Sequence, residues 1–79
     1  MEQPDRVLAQ LGMVLAEVRR ERGLTQEELS LSTGVHRNYI GGVERGERSP
    51  TVATVAMLAA ALDISLGELF AKAEGAEIP

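Results

Sequence analysis

The residues best suited to chemistry in this 79-residue chain are arginines that lie in one short segment. Residues 36–50 hold Arg37, Arg45 and Arg48 against two glutamates, whereas the whole chain carries a net charge of −4. A guanidinium group can donate two parallel hydrogen bonds to guanine or to a phosphate. Because phosphate contact is local and screened by salt, a local basic patch can suffice on an acidic protein. This segment therefore points to nucleic acid, and the acidic remainder should weaken non-specific binding.

Enzymatic chemistry finds few candidates in this sequence. There is no cysteine and only one histidine, His36, and no nucleophile–base pair or glycine-rich phosphate loop is evident. We therefore expect no enzyme, no cofactor and no metal site, and we interpret His36 as a helix cap or a phosphate neighbour. The absence of a membrane-length apolar run or a signal-peptide pattern predicts a cytoplasmic protein without membrane contact.

The arginines are expected to be positioned by two short helices joined by a tight turn. Thr25 and Glu28 have the spacing of a capping box, so they predict a helix from Gln26 to about Ser32. Gly34 can adopt a positive φ, which allows the sharp turn that follows. The pattern is that of a helix-turn-helix.

The second helix of this motif should begin at Val35 or His36 and run to about Arg45, with a glycine stop at position 46. Its polar face carries residues 37, 41 and 45, which are spaced by four and form one stripe. Gly41 and Gly42 lie in this helix, where each glycine costs about 1 kcal/mol relative to alanine. We expect the close approach of another surface to compensate for that cost. The alternative is a surface helix with poor helical propensity.

As a set, these residues resemble the lambda-repressor-like helix-turn-helix family of the Xre/Cro type. The resemblance covers roughly residues 11–70, and the matching residues are Arg19, Gly23-Leu24-Thr25-Gln26-Glu27-Glu28-Leu29, Gly34-Val35, Tyr39-Ile40 and Glu44-Arg45-Gly46. It implies an all-α, compact five-helix domain, a transcription regulator that binds operator DNA as a homodimer. Small size and the Arg37-x-Tyr39-Ile40 run are also similar to the controller proteins of restriction–modification systems. The Gly41-Gly42 pair departs from the family pattern, because side chains at these positions often contact bases.

The resemblance implies that the second helix of the motif enters the major groove. Arg37 would then donate to guanine O6 and N7, and Asn38 would contact a base edge or a phosphate. Gln26 and the free amides at the start of the first motif helix would bind phosphate. Contacts to the DNA backbone orient a protein without specifying sequence. The complete expected DNA-binding set is Gln26, His36, Arg37, Asn38, Tyr39, Gly41, Gly42, Arg45, Arg48, Ser49 and Thr51.

The same resemblance implies a structural ion pair between Arg19 and Glu44. Arg19 is next to Val18 on the core-facing side of the first helix, so we expect the pair to be largely buried. It would link the first helix to the end of the third. If Glu44 is neutralised in this way, the basic segment becomes more positive still.

The rest of the chain should form three further helices in a single domain spanning residues 1–79. Asp5 is expected to cap a first helix that runs to about Arg22, and residues 1–4 should be a flexible tail. Thr51 should cap a fourth helix from Val52 to about Leu62. A second capping box, Ser65 with Glu68, predicts a fifth helix from residue 66 to about 73. Residues 74–79 should be a second flexible tail.

The fourth helix is apolar on nearly all sides, which predicts burial against two surfaces. The domain core can cover one side, and a second subunit would cover the other. The expected dimer interface is Ala53, Met57, Ala60, Leu66 and Phe70. The alternative is an alanine-rich helix that reflects propensity alone. The expected partners are double-stranded DNA and a second copy of the chain, and RNA polymerase is a further candidate.

A second function is compatible with the same fold. An antitoxin-like subunit would use this helical domain as a protein-interaction module rather than as a DNA-binding regulator. A long partner-binding tail would favour that alternative. A gel shift with random competitor DNA, with and without candidate partner proteins, would separate the two hypotheses.

Overall fold

The computed structural model describes residues 4–78, and within that range the chain forms five α-helices and no strand. The all-α, five-helix prediction is confirmed. The helices are α1 (Pro4–Glu21), α2 (Gln26–Thr33), α3 (Arg37–Glu44), α4 (Val52–Ala61) and α5 (Leu66–Gly75). Helix α1 packs against α3 and α5, and α2 packs against α3 and α4.

The core is aliphatic because the only aromatic residues in the chain are Tyr39 and Phe70. It is formed by one stripe from each helix and by Ile64 in the connection between α4 and α5. The buried side chains are Leu11, Val14, Leu15, Val18, Leu29, Ile40, Val43, Val55, Leu58, Ala59, Leu62, Ile64, Leu69 and Ala73. On α1, α3 and α4 these residues recur at helical spacing, so one side of each helix faces the core.

The caps of α2 agree with the sequence, whereas the cap of α5 is only half of the predicted box. Thr25 Oγ1 accepts from the amide of Glu28 at 3.0 Å, and the Thr25 amide donates to the Glu28 carboxylate at 2.9 Å. At α5, Ser65 Oγ accepts from the Glu68 amide at 3.0 Å. The Glu68 carboxylate then lies 3.1 Å from the Ser65 hydroxyl, which can donate to it. The reciprocal bond to the Ser65 backbone amide, expected of a capping box, is replaced by this side-chain contact.

Both predicted tails are partly wrong. Helix α1 already includes Pro4, whose fixed φ suits the first turn of a helix, so Asp5 lies in that turn and not at the cap. Residues 74 and 75 belong to α5. The side-chain amide of Gln10, which is only 4% exposed, donates to the carbonyl of Ala76 at 3.1 Å and fastens the chain beyond α5 to α1. Residues 1–3 and 79 of the predicted tails lie outside the described residues.

No single helix among those described is both long and apolar enough to cross a membrane. Helices α4 and α5 meet that criterion of length and composition only as a pair, and the pair is bent by 101°.

Candidate nucleic-acid interface

Helices α2 and α3 form the predicted helix-turn-helix, and the turn between them is closed by local contacts. Gly34 has a φ of 78°, as the sharp turn requires, and Val35 is half-buried against the core. His36 is the N-cap of α3, because its Nδ1 accepts from the amide of Asn38 at 3.1 Å. Of the two roles expected for His36, the structure therefore contains the cap. Helix α3 ends before Gly46, whose φ is 75°.

Arg37 and Asn38 lie exposed at the first turn of α3. The Arg37 Nε lies 3.6 Å from Oε2 of Glu27 on α2, and the two side chains remain 57% and 65% exposed. A contact this long between exposed groups adds little to stability in water. Arg37 can therefore leave Glu27 at small cost and reach a ligand in front of the helix.

The Arg19–Glu44 ion pair that the resemblance implied joins α1 to the last residue of α3. Arg19 Nε lies 2.7 Å from Glu44 Oε2, and Nη2 donates to Oε1 at 3.0 Å. Arg19 is 8% exposed, and its remaining Nη1 donates to the carbonyl of Leu24 at 2.8 Å. The hydrogen bond to Glu44 raises the pKa of Arg19, and the attraction of that carboxylate adds to it, although burial lowers the pKa. The guanidinium therefore stays charged, and its positive charge compensates the negative charge of the Glu44 carboxylate.

Gln26 is drawn into the same network. Its Nε2 donates to Glu44 Oε1 at 2.9 Å, and a carboxylate can only accept, so the amide nitrogen must face inward. One N–H of Gln26 is thus used by the protein. The second N–H remains available to a phosphate, which is the role that the resemblance implied. The buried ion pair sets the orientation of the side chain at the start of α2.

The two glycines of α3 are not open to solvent. Both are buried, because arginine side chains fold over the helix where a Cβ is missing. A Cβ built on Gly41 would lie 3.1 Å from Nη1 of Arg45 and 3.5 Å from Oε1 of Gln26. A Cβ built on Gly42 would lie only 2.7 Å from Cγ of Arg48. The surface that approaches the glycines is thus part of the same chain.

The remaining expected contact residues differ in their placement. Arg45 is the C-cap of α3, and its Nε lies 3.1 Å from the exposed carboxylate of Glu47. Ser49 is exposed, whereas Tyr39 is half-buried and packs against the core. Thr51 is exposed but serves as the N-cap of α4, since its Oγ1 accepts from the amide of Thr54 at 3.1 Å. Arg37 and Asn38 are thus exposed at one end of α3, and Arg45, Arg48 and Ser49 are exposed at the other.

Sequence reasoning missed Gly12, which sets the distance between α1 and α3. A Cβ built on Gly12 would lie 2.2 Å from the carbonyl oxygen of Val43 and 2.7 Å from that of Glu44. The absence of a side chain lets α1 cross the end of α3 at backbone contact, which places Arg19 against Glu44. The available signal was a glycine within an apolar stretch of helix, at a position where alanine would be favoured by about 1 kcal/mol.

Arg22, just beyond the end of α1, makes a contact that sequence reasoning did not predict. Its Nε donates to the carbonyl of Leu62 at 2.7 Å. A second, longer contact of 3.4 Å joins Nη2 to the carbonyl of Asp63. Arg22 therefore satisfies carbonyl groups at the end of α4, and it ties that helix to the end of α1.

Comparison with a family model identifies the family to which this arrangement of helices belongs. Residues 15–69, which include α2 and α3 completely, match the model of the family described as Helix-turn-helix. The chain belongs to this helix-turn-helix family. It is thus a DNA-binding transcriptional regulator, and the family resemblance inferred from the sequence is confirmed.

Individual relatives of the regulator are also named as transcriptional regulators or controller proteins. It is 48% identical over 59 residues to the uncharacterized HTH-type transcriptional regulator y4dJ of Sinorhizobium fredii, with 75% of this chain and 77% of the relative covered. The restriction–modification controller protein C.AhdI from Aeromonas hydrophila is 45% identical with a TM-score of 0.76, and the match covers 78% of this chain and 94% of that chain. The controller protein C.Esp1396I, solved as a tetramer with its natural 35 base-pair operator, is 29% identical with a TM-score of 0.80, covering 87% and 91%.

The regulator's expected dimer residues lie on α4 and α5 and differ in exposure. Ala53, Met57 and Ala60 lie on the exposed side of α4, where Met57 is 47% exposed and borders a groove beside the end of α2. Leu66 is half-buried and packs against the core. Phe70 lines a different groove, against Leu11 and the neighbouring residues of α1. Four of the five expected residues are thus exposed, and Leu66 is partly covered by the core.

Proposed function

We propose that this regulator binds a two-fold symmetric operator as a homodimer, with one α3 helix in the major groove of each half-site. The observation that carries the proposal is the exposed pair Arg37 and Asn38 at the first turn of α3, beside the start of α2. In helix-turn-helix proteins the residues at the start of the second helix reach the base edges. Arg37 would donate to guanine O6 and N7, and Asn38 would contact a base edge or a phosphate.

Phosphate contacts would hold α3 in register. Gln26 has one N–H left after its bond to Glu44, and the first amides of α2 favour an anion. Arg45, Arg48 and Ser49 would meet the DNA backbone at the far end of α3. Because Arg19 neutralises Glu44, the exposed carboxylates that remain beside these arginines are those of Glu27 and Glu47. The local field therefore favours DNA despite the net charge of −4.

The homodimer is proposed to form through the exposed stripe of Ala53, Met57 and Ala60. These residues are spaced by four and three and share one side of α4, whose opposite side is in the core. Two-fold pairing would place the two α3 helices about 34 Å apart, which is one turn of DNA. A single helix reads only a few base pairs, so pairing is what makes a site long enough to be specific.

The biological setting that we propose is control of a restriction–modification system. The support is the similarity in length and fold to the controller proteins, one of which is covered over 94% of its chain. RNA polymerase is a further proposed partner, and the cytoplasm is the proposed location, since both accompany regulation at a promoter.

The test is selection of bound sequences from a random pool of double-stranded DNA, followed by gel shifts with the recovered site. We expect an inverted repeat whose half-sites lie about one helical turn apart. Recovery of no common sequence would contradict the proposal. A gel shift that appears only when a candidate protein partner is added would favour the antitoxin-like interaction module instead.

A further inference from the structure

We propose that Gly42 is a positioning residue that seats the side chain of Arg48 on α3 and aims its guanidinium at a phosphate. This inference rests on the proposed operator binding, because it explains how the protein positions Arg48 for one of the phosphate contacts. Gly42 itself would touch no DNA.

After α3 the chain folds back, so that residues beyond the helix bond to carbonyl groups in its last turn. The amide of Glu47 donates to the carbonyl of Gly42 at 2.9 Å, and the amide of Gly46 donates to the carbonyl of Val43 at 3.0 Å. These two bonds, with the positive φ of Gly46, are the Schellman arrangement. The residue that follows the motif is Arg48, so its side chain begins directly beside Gly42.

The side chain of Arg48 then occupies the space that a side chain at position 42 would fill. Its Cγ would be 2.7 Å from a Cβ on Gly42, and its Cδ and Nε would be 3.7 Å and 3.6 Å away. Atoms this close to a Cβ must move if the Cβ is added. The stem of Arg48 thus lies along the helix backbone while the residue as a whole remains exposed, so the charged end can stay in water.

A seated arginine is better placed to bind than a freely rotating one. An arginine side chain in solution loses rotamer freedom when it is fixed on a ligand, and a stem that is already packed loses less of it. Gly42 therefore stabilises the bound position of Arg48 in advance. This accounts for a buried glycine inside a helix, where alanine is otherwise the better helix former.

Two single variants and their combination test the inference by equilibrium binding to the selected operator and to unrelated DNA. Arg48→Ala should weaken binding to both and lower the salt slope by roughly one unit. One lost contact removes about a factor of three to four from the decline in affinity between 50 and 200 mM salt. Gly42→Ala should produce a loss in the same direction on both DNAs, and it should cause no further loss once Arg48 is alanine.

Gly67→Ala is the matched control, since a Cβ there meets nothing within 4 Å. It should leave binding and the salt slope unchanged. Thermal unfolding of each variant reports folding independently, and Gly42→Ala should raise the unfolding temperature more in the Arg48→Ala background than in the wild type. If a variant remains folded and its affinity is reduced, the loss is due to a changed position of the Arg48 side chain and not to unfolding.

Three outcomes would overturn the inference. If Gly42→Ala weakens binding equally in both backgrounds, the glycine makes room for DNA itself. If Gly42→Ala leaves binding unchanged while Arg48→Ala weakens it, Arg48 does not depend on Gly42 for its position. If Arg48→Ala has no effect, Arg48 is not a phosphate contact and Gly42 cannot act through it. Failure of the proposed function is distinguishable from all three, because the wild-type protein would then select no operator.

Discussion

Arg19 Nε lies 2.7 Å from Glu44 Oε2, and this ion pair joins the last turn of α1 to the end of α3. Glu44 also accepts from Gln26 at the start of α2, so three helices meet at one carboxylate. The pKa of Arg19 is raised by this hydrogen bond. Since a raised pKa of a cation contributes stability at every pH below its ordinary value, the contribution is complete at neutral pH. It is lost as the pH rises through the pKa of the folded guanidinium, in strongly alkaline solution.

We predict that Glu44→Gln lowers the free energy of unfolding by about 3–5 kcal/mol, because it leaves the buried guanidinium of Arg19 without a counter-charge. Urea unfolding at a fixed protein concentration measures the change. The double variant Arg19→Met with Glu44→Leu should cost much less than the single variant, since apolar residues of similar volume often replace a buried ion pair without loss. A single variant as stable as wild type would contradict the role assigned to the pair.

Arg37→Ala should lower operator affinity by about 1–3 kcal/mol and relax the preference at one base pair in each half-site. The reason is the position of Arg37 at the exposed first turn of α3, where only a loose contact with Glu27 restrains it. Binding to every single-base variant of the operator measures both effects. A variant with unchanged affinity and unchanged base preference would remove Arg37 from the readout.

His36→Ala should reduce the free energy of unfolding by about 0.5–1 kcal/mol, whereas His36→Ser should retain it. The imidazole Nδ1 accepts from the amide of Asn38, and a serine hydroxyl can accept in its place. Chemical denaturation of both variants tests the cap. Operator binding tests the second role that the sequence left open, because loss of affinity in a stable serine variant would show a contact between His36 and phosphate.

Gly12→Ala should destabilise the protein by about 1–3 kcal/mol or more, because the added methyl group overlaps the carbonyl oxygen of Val43 at the crossing of α1 and α3. The comparison is Gly67→Ala, which adds the same group in open space and should be neutral or slightly stabilising. Thermal unfolding of the two variants gives the difference. Equal stabilities would mean that α1 can move away from α3 without loss.

Met57→Glu should produce a folded monomer with much reduced operator affinity, since a two-fold interface repeats the added charge and loss of pairing removes avidity. Leu31→Glu is the matched control: Leu31 is 78% exposed on α2, outside the proposed contact, and its variant should remain a dimer. Sedimentation at micromolar concentration and circular dichroism measure assembly and folding. A Met57→Glu protein that still sediments as a dimer would move the interface elsewhere, with α1 as the next candidate.

The sequence by itself determined the helices, the turn and the direction of each apolar stripe. These features depend on short-range physics, because caps such as Thr25 act within three residues and helical spacing places Leu58 and Leu62 on one side of α4. The resemblance added the Arg19–Glu44 pair, which no local pattern contains. The sequence was less informative where two local hydrogen bonds compete for one side chain. Ser65 caps α5, but the Glu68 carboxylate contacts the Ser65 hydroxyl and not the Ser65 backbone amide, so the capping box is incomplete.

Only the tertiary structure decided what covers each helix. Gly12 and Gly42 are both glycines within helices, yet one admits a neighbouring helix backbone and the other admits the stem of Arg48. Their local sequences do not distinguish these cases, because the neighbour comes from another helix in one case and from a reversing loop in the other. Gln26 likewise faces Glu44 because α2 and α3 cross at that point. Contacts of this kind depend on distances between helices, which no pattern within a single helix specifies.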